Sequence, residues 1–182
     1  MNMKAWSGVL LGAALALMGQ SSMAAGAAEI ERDAKASLQR LYSSVPAAKA
    51  LGQNAQAILV FPKVTKAGLG VGGQFGEGAL LQKGKAVGYY NTAGASVGLQ
   101  AGAQQFGYAM FFMNANALAQ LNNAAGFEVG VGPTVVVMDE GKAKTMTTTT
   151  AKDDIYAFIF GQKGLMAGLG IQGNKITKIN PK

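Results

Sequence analysis

The stretch from 57 to 81, AILVFPKVTKAGLGVGGQFGEGALL, constrains the fold more than any other, because glycine fills six of the eleven positions from 68 to 78. Gly68, Gly70, Gly72, Gly76 and Gly78 share one parity, while Leu69, Val71, Phe75 and Ala79 share the other. A strand sends alternate residues to opposite faces, so one face carries side chains and the other is almost bare backbone. A helix would hold the same glycines at roughly 1 kcal/mol each against alanine. The stretch reads as a strand whose naked face allows close approach of other backbone, strong bending, or both.

Gly68, Gly70 and Gly73 also match G-x-G-x-x-G. A dinucleotide site needs a helix opening at that loop and an acid about 20 positions on. The residues that follow alternate, and no Asp or Glu occurs between Glu77 and Glu128. Nucleotide binding is not expected. Related stretches recur as SVGLQAGAQQFG at Ser96, FEVGVG at Phe127 and GLMAGLGIQG at Gly164, too irregularly spaced for a solenoid. They imply an α+β, strand-rich domain with a curled or barrel-like antiparallel sheet, N-terminal helices, and one further helix near 115–121.

The first residues pair Lys4 with an apolar run from Trp6 to Met18, shorter than the ~20 residues that span a bilayer. Residues 1–27 read as a secretory signal peptide with cleavage near 24–27, leaving one domain over 28–182. The expectation is a periplasmic or secreted protein without a lipid anchor, since there is no cysteine. Ile30, Ala34, Leu38, Leu41, Tyr42 and Val45 recur at helical spacing. That helix packs on the sheet or lies on a membrane, and the mixed charge opposite its stripe favours packing. Pro46 suits the first turn of a second helix over 47–54.

Strands are expected at 57–61, 68–75, 79–82, 86–91 and 96–104, with Lys83-Gly84-Lys85 as a tight hairpin turn. The run 106–113 is a buried strand or a helix entry. Asn114 caps the helix over 115–121. Further strands are expected at 127–132, 134–138, 143–149, 155–160, 165–173 and 175–179, with turns at Asp139-Glu140-Gly141 and Gly173-Asn174.

Chemistry is sparse. Histidine and cysteine are absent, which removes the imidazole base and the usual zinc ligands, so no metal or cofactor is expected. Glu77 and Glu128 are the two acids in apolar, glycine-rich surroundings, and sequence cannot say whether they meet. The chain reads as a binding protein rather than an enzyme. From 34 to 127 there are seven basic residues (Lys35, Arg40, Lys49, Lys63, Lys66, Lys83, Lys85) against Glu77 alone. Such a field favours anionic partners. Export argues against nucleic acid.

Four blocks together resemble the SYLF domain: LVFPKVTKAGLGVGGQFGEGAL, VGYYNTAGASVGLQAGAQQFGYAMFF, NANALAQL with GFEVGVGPTVVV, and YAFIFGQKGLMAGLGIQG. This lipid-binding family includes the yeast Las-seventeen-binding actin regulators, and the resemblance runs from about 34 to 179. Its motif positions here are Phe61, Pro62, Gly68, Gly72, Gly73, Gly76, Gly78, Tyr89, Tyr90, Asn91, Gln162, Lys163, Gly164 and Leu165. The resemblance implies peripheral binding to anionic phospholipid, as to phosphoinositide headgroups in eukaryotic relatives. The lipid contacts it suggests are Arg32, Lys35, Arg40, Lys49, Lys63 and Lys66. A carrier of an apolar ligand, or a module that binds an envelope protein, is the alternative. Actin binding does not suit an exported protein.

Overall fold

The computed structural model describes residues 26–147, 149–161, 164–166 and 170–182, with backbone alone for 96–101. The leader, Gln162 and Lys163 lie outside the described residues. Helix α1 (Ala27–Ser44) buries Ile30, Ala34, Leu38 and Leu41 on its apolar stripe. It stops at Val45, which takes an extended conformation (φ −129°) because the proline ring that follows disfavours the helical region. Pro46 opens α2 (Pro46–Asn54). The stripe is spent on the sheet, so α1 is a docked helix.

The glycine-rich segment and its successor form two long antiparallel strands, β1 (Ala57–Gln82) and β2 (Lys85–Phe112), joined at Lys83-Gly84. Both turn residues have positive φ (50° and 78°), the geometry of a type I′ hairpin. Where separate short strands were expected, the ladder is continuous but interrupted by irregularities between Phe61 and Val64, Leu69 and Val71, and Leu80 and Leu81. At the second of these, Gly70 (φ 72°) and Gly102 (φ 108°) supply backbone conformations that other residues rarely adopt, and the hairpin doubles back on itself. A Cβ on Gly76 would lie 2.7 Å from the Lys63 carbonyl oxygen, and one on Gly78 would overlap the Val60 carbonyl oxygen. The bare face is where one half of β1 meets the other.

The remaining elements are α3 (Ala115–Gln120), β3 (Phe127–Glu128), β4 (Val135–Met138), α4 (Glu140–Thr145), β5 (Ile155–Gly161), β6 (Gly164–Leu165) and β7 (Lys175–Ile179). The first half of the hairpin pairs through β2 with β5, and the second half pairs through β2 with β7. The strand path β3-β7-β2-β5-β4 has free ends at β3 and β4. The fold is α+β as expected, and the sheet is curled but open, not a closed barrel.

Residues 57–61, 106–112 and 155–159 read as unbroken apolar runs because both of their faces are covered. Ile58, Val60, Ala109, Phe111, Tyr156 and Phe158 pack under α1 and α2. Leu59, Phe61, Tyr108, Met110, Ile155 and Ile159 face the other way, toward α3, Phe127 and Ile176. The open question over 106–113 is settled as strand.

Among the described residues one expected strand is not formed and two are cut short, that over 127–132 to Phe127–Glu128. In place of a strand over 143–149, Asp139 Oδ1 accepts from the Lys142 backbone N–H at 2.7 Å and caps α4. The threonines then form a turn, with the Thr147 N–H donating to Thr150 Oγ1 at 2.9 Å. Hydroxyl groups that bond nearby backbone compete with a ladder. The helix serves as the crossover between β4 and β5, which pair in parallel. Over 165–173 only Gly164–Leu165 is strand among the described residues, paired with β5. Gly173-Asn174 does form a turn, closed by the Asn174 N–H donating to the Ile171 oxygen at 3.1 Å. The strand after it pairs with β2 and β3 rather than in a hairpin.

Burial beneath α2 and against Phe111 pushes the Tyr42 hydroxyl from 10.0 up to about 12. Burial raises Tyr108 as well. A raised folded-state pKa favours the neutral form, so this stability is complete below pH 10 and lost as pH climbs toward 12. Denaturant midpoints are expected to stay level up to pH 10 and then fall, with a shallower fall in Tyr42→Phe. An identical alkaline fall in that variant would contradict the assignment.

Candidate functional site

Where α1 ends, the bulge at Pro62-Lys63 turns β1 out of register with β2. There a groove of ≈ 1090 Å³ opens between three parts of the chain. The end of α1 contributes Arg40, Leu41 and Ser44, and the bulge contributes Pro62 and Lys63. Residues 103–107 of β2 form the floor, and Phe160, Gly161, Gly164 and Leu165 form the far wall. The Phe160 ring lies against Gly107 in the floor, where a Cβ would meet it at 2.5 Å.

Of the six expected lipid contacts, the groove unites two. Arg40 donates from Nη2 to Ser37 Oγ at 3.0 Å. Neither it nor Lys63 meets an acid among the described residues. Both are exposed, so their charge acts on the groove. Arg32 and Lys35 are instead matched on α1 itself, Arg32 with Asp33 at 3.2 Å and Lys35 with Glu31 at 2.6 Å. Lys35 thereby holds the Glu31 carboxyl below the usual range. Lys49 is exposed on α2, and Lys66 is half-exposed on β1 beyond the groove. Ser44, Gln104 and Gln105 add hydrogen-bonding groups to the lining. Two uncompensated cations beside neutral donors suit a phosphate or carboxylate.

The motif positions divide by role. Pro62, Gly164 and Leu165 line the groove, whereas Phe61 is buried against Tyr108 with ring centroids 4.8 Å apart. The Tyr89 hydroxyl donates to Glu31 at 3.3 Å, tying the sheet to α1, and Tyr90 donates to Asn122 at 2.9 Å. Asn91 sits in the ladder between Glu77 and Thr177. Gly68, Gly72, Gly76 and Gly78 serve the bend and the close approach, and Gly73 sits opposite Ala95. Glu77 and Glu128 stand on β1 and β3 with β2 and β7 between them, three ladder spacings or about 14 Å. The structure does not bring the two carboxylates together.

Sequence reasoning missed a buried polar cluster. Gln74 Nε2 donates to Asn174 Oδ1 at 2.6 Å and to the Gly170 oxygen at 3.3 Å. The Tyr108 hydroxyl donates to Thr92 Oγ1 at 2.6 Å, and Asn174 Nδ2 reaches the same oxygen at 3.4 Å. These contacts link both strands of the hairpin to the turn before β7. The available signal was Gln74, the one large polar residue on the glycine parity between 68 and 78.

A search of curated proteins returns no match to the chain. A family model described as Ysc84: Las17-binding protein actin regulator matches residues 93–181. That span takes in the floor and far wall of the groove and the turn before β7, but not α1 or the Pro62-Lys63 bulge. Residues 93–181 thus match the model of the Las17-binding actin-regulator family, the family that the motifs resemble.

Proposed function

We propose that this protein is a non-catalytic module that associates peripherally with anionic phospholipid through the groove at the end of α1. One observation carries this reading: Arg40 and Lys63, far apart in sequence, flank the same groove with no acid among the described residues to neutralise them. Lipid binding in relatives agrees with it. A membrane-surface association also fits the described helices, none of which is long and apolar enough to cross a bilayer. An exported protein would meet such surfaces in the cell envelope. The carrier alternative draws no support from the interior, where Phe61, Tyr108, Met110 and Phe112 fill the space beneath the folded hairpin.

Sedimentation with vesicles tests the proposal. Near an anionic surface each basic residue contributes about 1 kcal/mol. Arg40→Gln combined with Lys63→Gln is therefore expected to weaken binding to phosphatidylglycerol vesicles by roughly 30-fold at low salt. Lys152→Gln, at the far end of β5 from the groove, is expected to change it little. Equal binding of the wild type to phosphatidylglycerol and phosphatidylcholine vesicles would sink the proposal.

A further inference from the structure

The sheet face that α1 covers does not end where α1 ends. On β2, residues 105, 107, 109 and 111 share one face, and Ala109 and Phe111 are buried under the helices. On β1, Val64 and its partner Phe106 belong to the opposite core. The next residues, Thr65, Ala67 and Leu69, therefore stand on the helix-covered face, opposite Gln105, Ala103 and Ala101. Past the groove nothing among the described residues covers them. Ala67, Ala103 and Gln105 are exposed, and Leu69 is 79% exposed. Around the bend the apolar character persists, with Val71 at 72% and Phe75 at 51% exposure.

We infer that this bend is a membrane-inserting edge: Leu69, Val71 and Phe75 enter the interfacial layer of an anionic bilayer while Arg40 and Lys63 hold headgroups in the adjoining groove. The inference rests on the lipid reading above and adds a surface that reading does not require. Large aliphatic and aromatic side chains exposed together on a folded chain mark an interaction surface. What selects the bilayer as occupant is the charge beside them. Lys63 and Lys66 immediately precede the apolar tip, and Glu77 is the sole acid in the whole hairpin from 57 to 112. An apolar tip with a cationic margin is how interfacial segments sit, apolar atoms in the acyl boundary and ammonium groups among phosphates. Leu69 lies two residues along the ladder beyond Ala67, the partner of the groove residue Ala103. That is roughly 7 Å, so one approach to the surface engages both.

The absence of cysteine makes the test direct. Full-length Leu69→Cys, labelled with an environment-sensitive fluorophore, is mixed with phosphatidylglycerol–phosphatidylcholine vesicles carrying brominated acyl chains. The label at 69 is expected to shift to the blue and be quenched, while a label on Lys152→Cys is not. Leu69→Ser with Val71→Ser is expected to lower vesicle partitioning by more than tenfold at about 0.5 M salt, where headgroup attraction is screened. Both positions are exposed, so the double variant is expected to keep the wild-type melting temperature. Vesicle-bound protein with an unquenched label at 69 would overturn the insertion and leave lipid binding standing. Failure of the wild type to bind any vesicle would remove the lipid reading and the insertion with it. A blue shift that grows with protein concentration without lipid would assign the bend to self-association and overturn the proposal.

Discussion

Gly78→Ala is expected to destabilise the fold by about 3 kcal/mol or more, whereas Gly73→Ala is expected to leave stability unchanged or slightly higher. The two glycines lie five residues apart in the same strand and differ in what their missing side chains would touch. A Cβ on Gly78 would overlap the Val60 carbonyl oxygen and come 2.7 Å from the Phe61 ring. The first of these is backbone, fixed by pairing with β2, and Phe61 is wedged against Tyr108. Neither can yield without separating the two halves of the hairpin. At Gly73 the nearest atom is the Gly94 oxygen at 3.7 Å, an ordinary contact. A native domain has about 5–15 kcal/mol of stability in total, so one methyl at Gly78 would remove a large share. Urea unfolding of both variants measures this directly. A Gly78→Ala midpoint equal to wild type would mean that the folded-over hairpin does not form as described.

That contrast shows how far sequence alone reaches. Gly78 falls on the glycine parity and Gly73 does not, and the parity argument already separates a bare face from the other. It identifies close approach or bending but not the partner, because the backbone that meets Gly76 and Gly78 comes from the same strand, doubled back. The α1 stripe and the Asn114 cap, whose Oδ1 accepts from the Ala117 N–H at 2.8 Å, were legible because local periodicity and local hydrogen bonds set them. Helix α4 was hidden because Asp139-Glu140-Gly141 serves equally as a turn or as a cap. The choice fell to a tertiary demand, the crossover between parallel β4 and β5.

The groove was legible only in pieces. Arg40 and the Pro62-Lys63 block were identifiable as basic or motif residues, and Gly164-Leu165 as the end of a block. Nothing in their spacing says that residues 40, 63, 104 and 164 share a lining. The pairing of Arg32 and Lys35 with acids on their own helix likewise depends on rotamers. Charge counts therefore overstate the number of cations free to act on a ligand. Four of the seven basic residues between 34 and 127 lie outside both the groove and the bend that adjoins it: Lys35, Lys49, Lys83 and Lys85.

The second large effect concerns the buried polar cluster, and it is expected to be non-additive. Asn174 is fully buried, and a Cβ on Gly94 would overlap its Oδ1. Gly94 stands directly opposite Gln74 in the ladder, and the Asn174 side chain lies over it to accept from the Gln74 amide. Gly94→Ala alone must push that oxygen away from Gln74 and disturb the bond to Thr92, at an expected cost of about 2–3 kcal/mol. Asn174→Ala alone leaves Gln74 with the Gly170 oxygen only, and is expected to cost a similar amount. Combined, the methyl at 94 occupies space that the shortened residue 174 has vacated. The double variant is therefore expected to be more stable than the sum of the single losses predicts, by about 1 kcal/mol or more. A cycle closing within about 0.5 kcal/mol would show that the two residues act independently. In that case the cluster does not hold the turn before β7 onto the hairpin, and the packing of Ile171 and Ile176 is left to hold it.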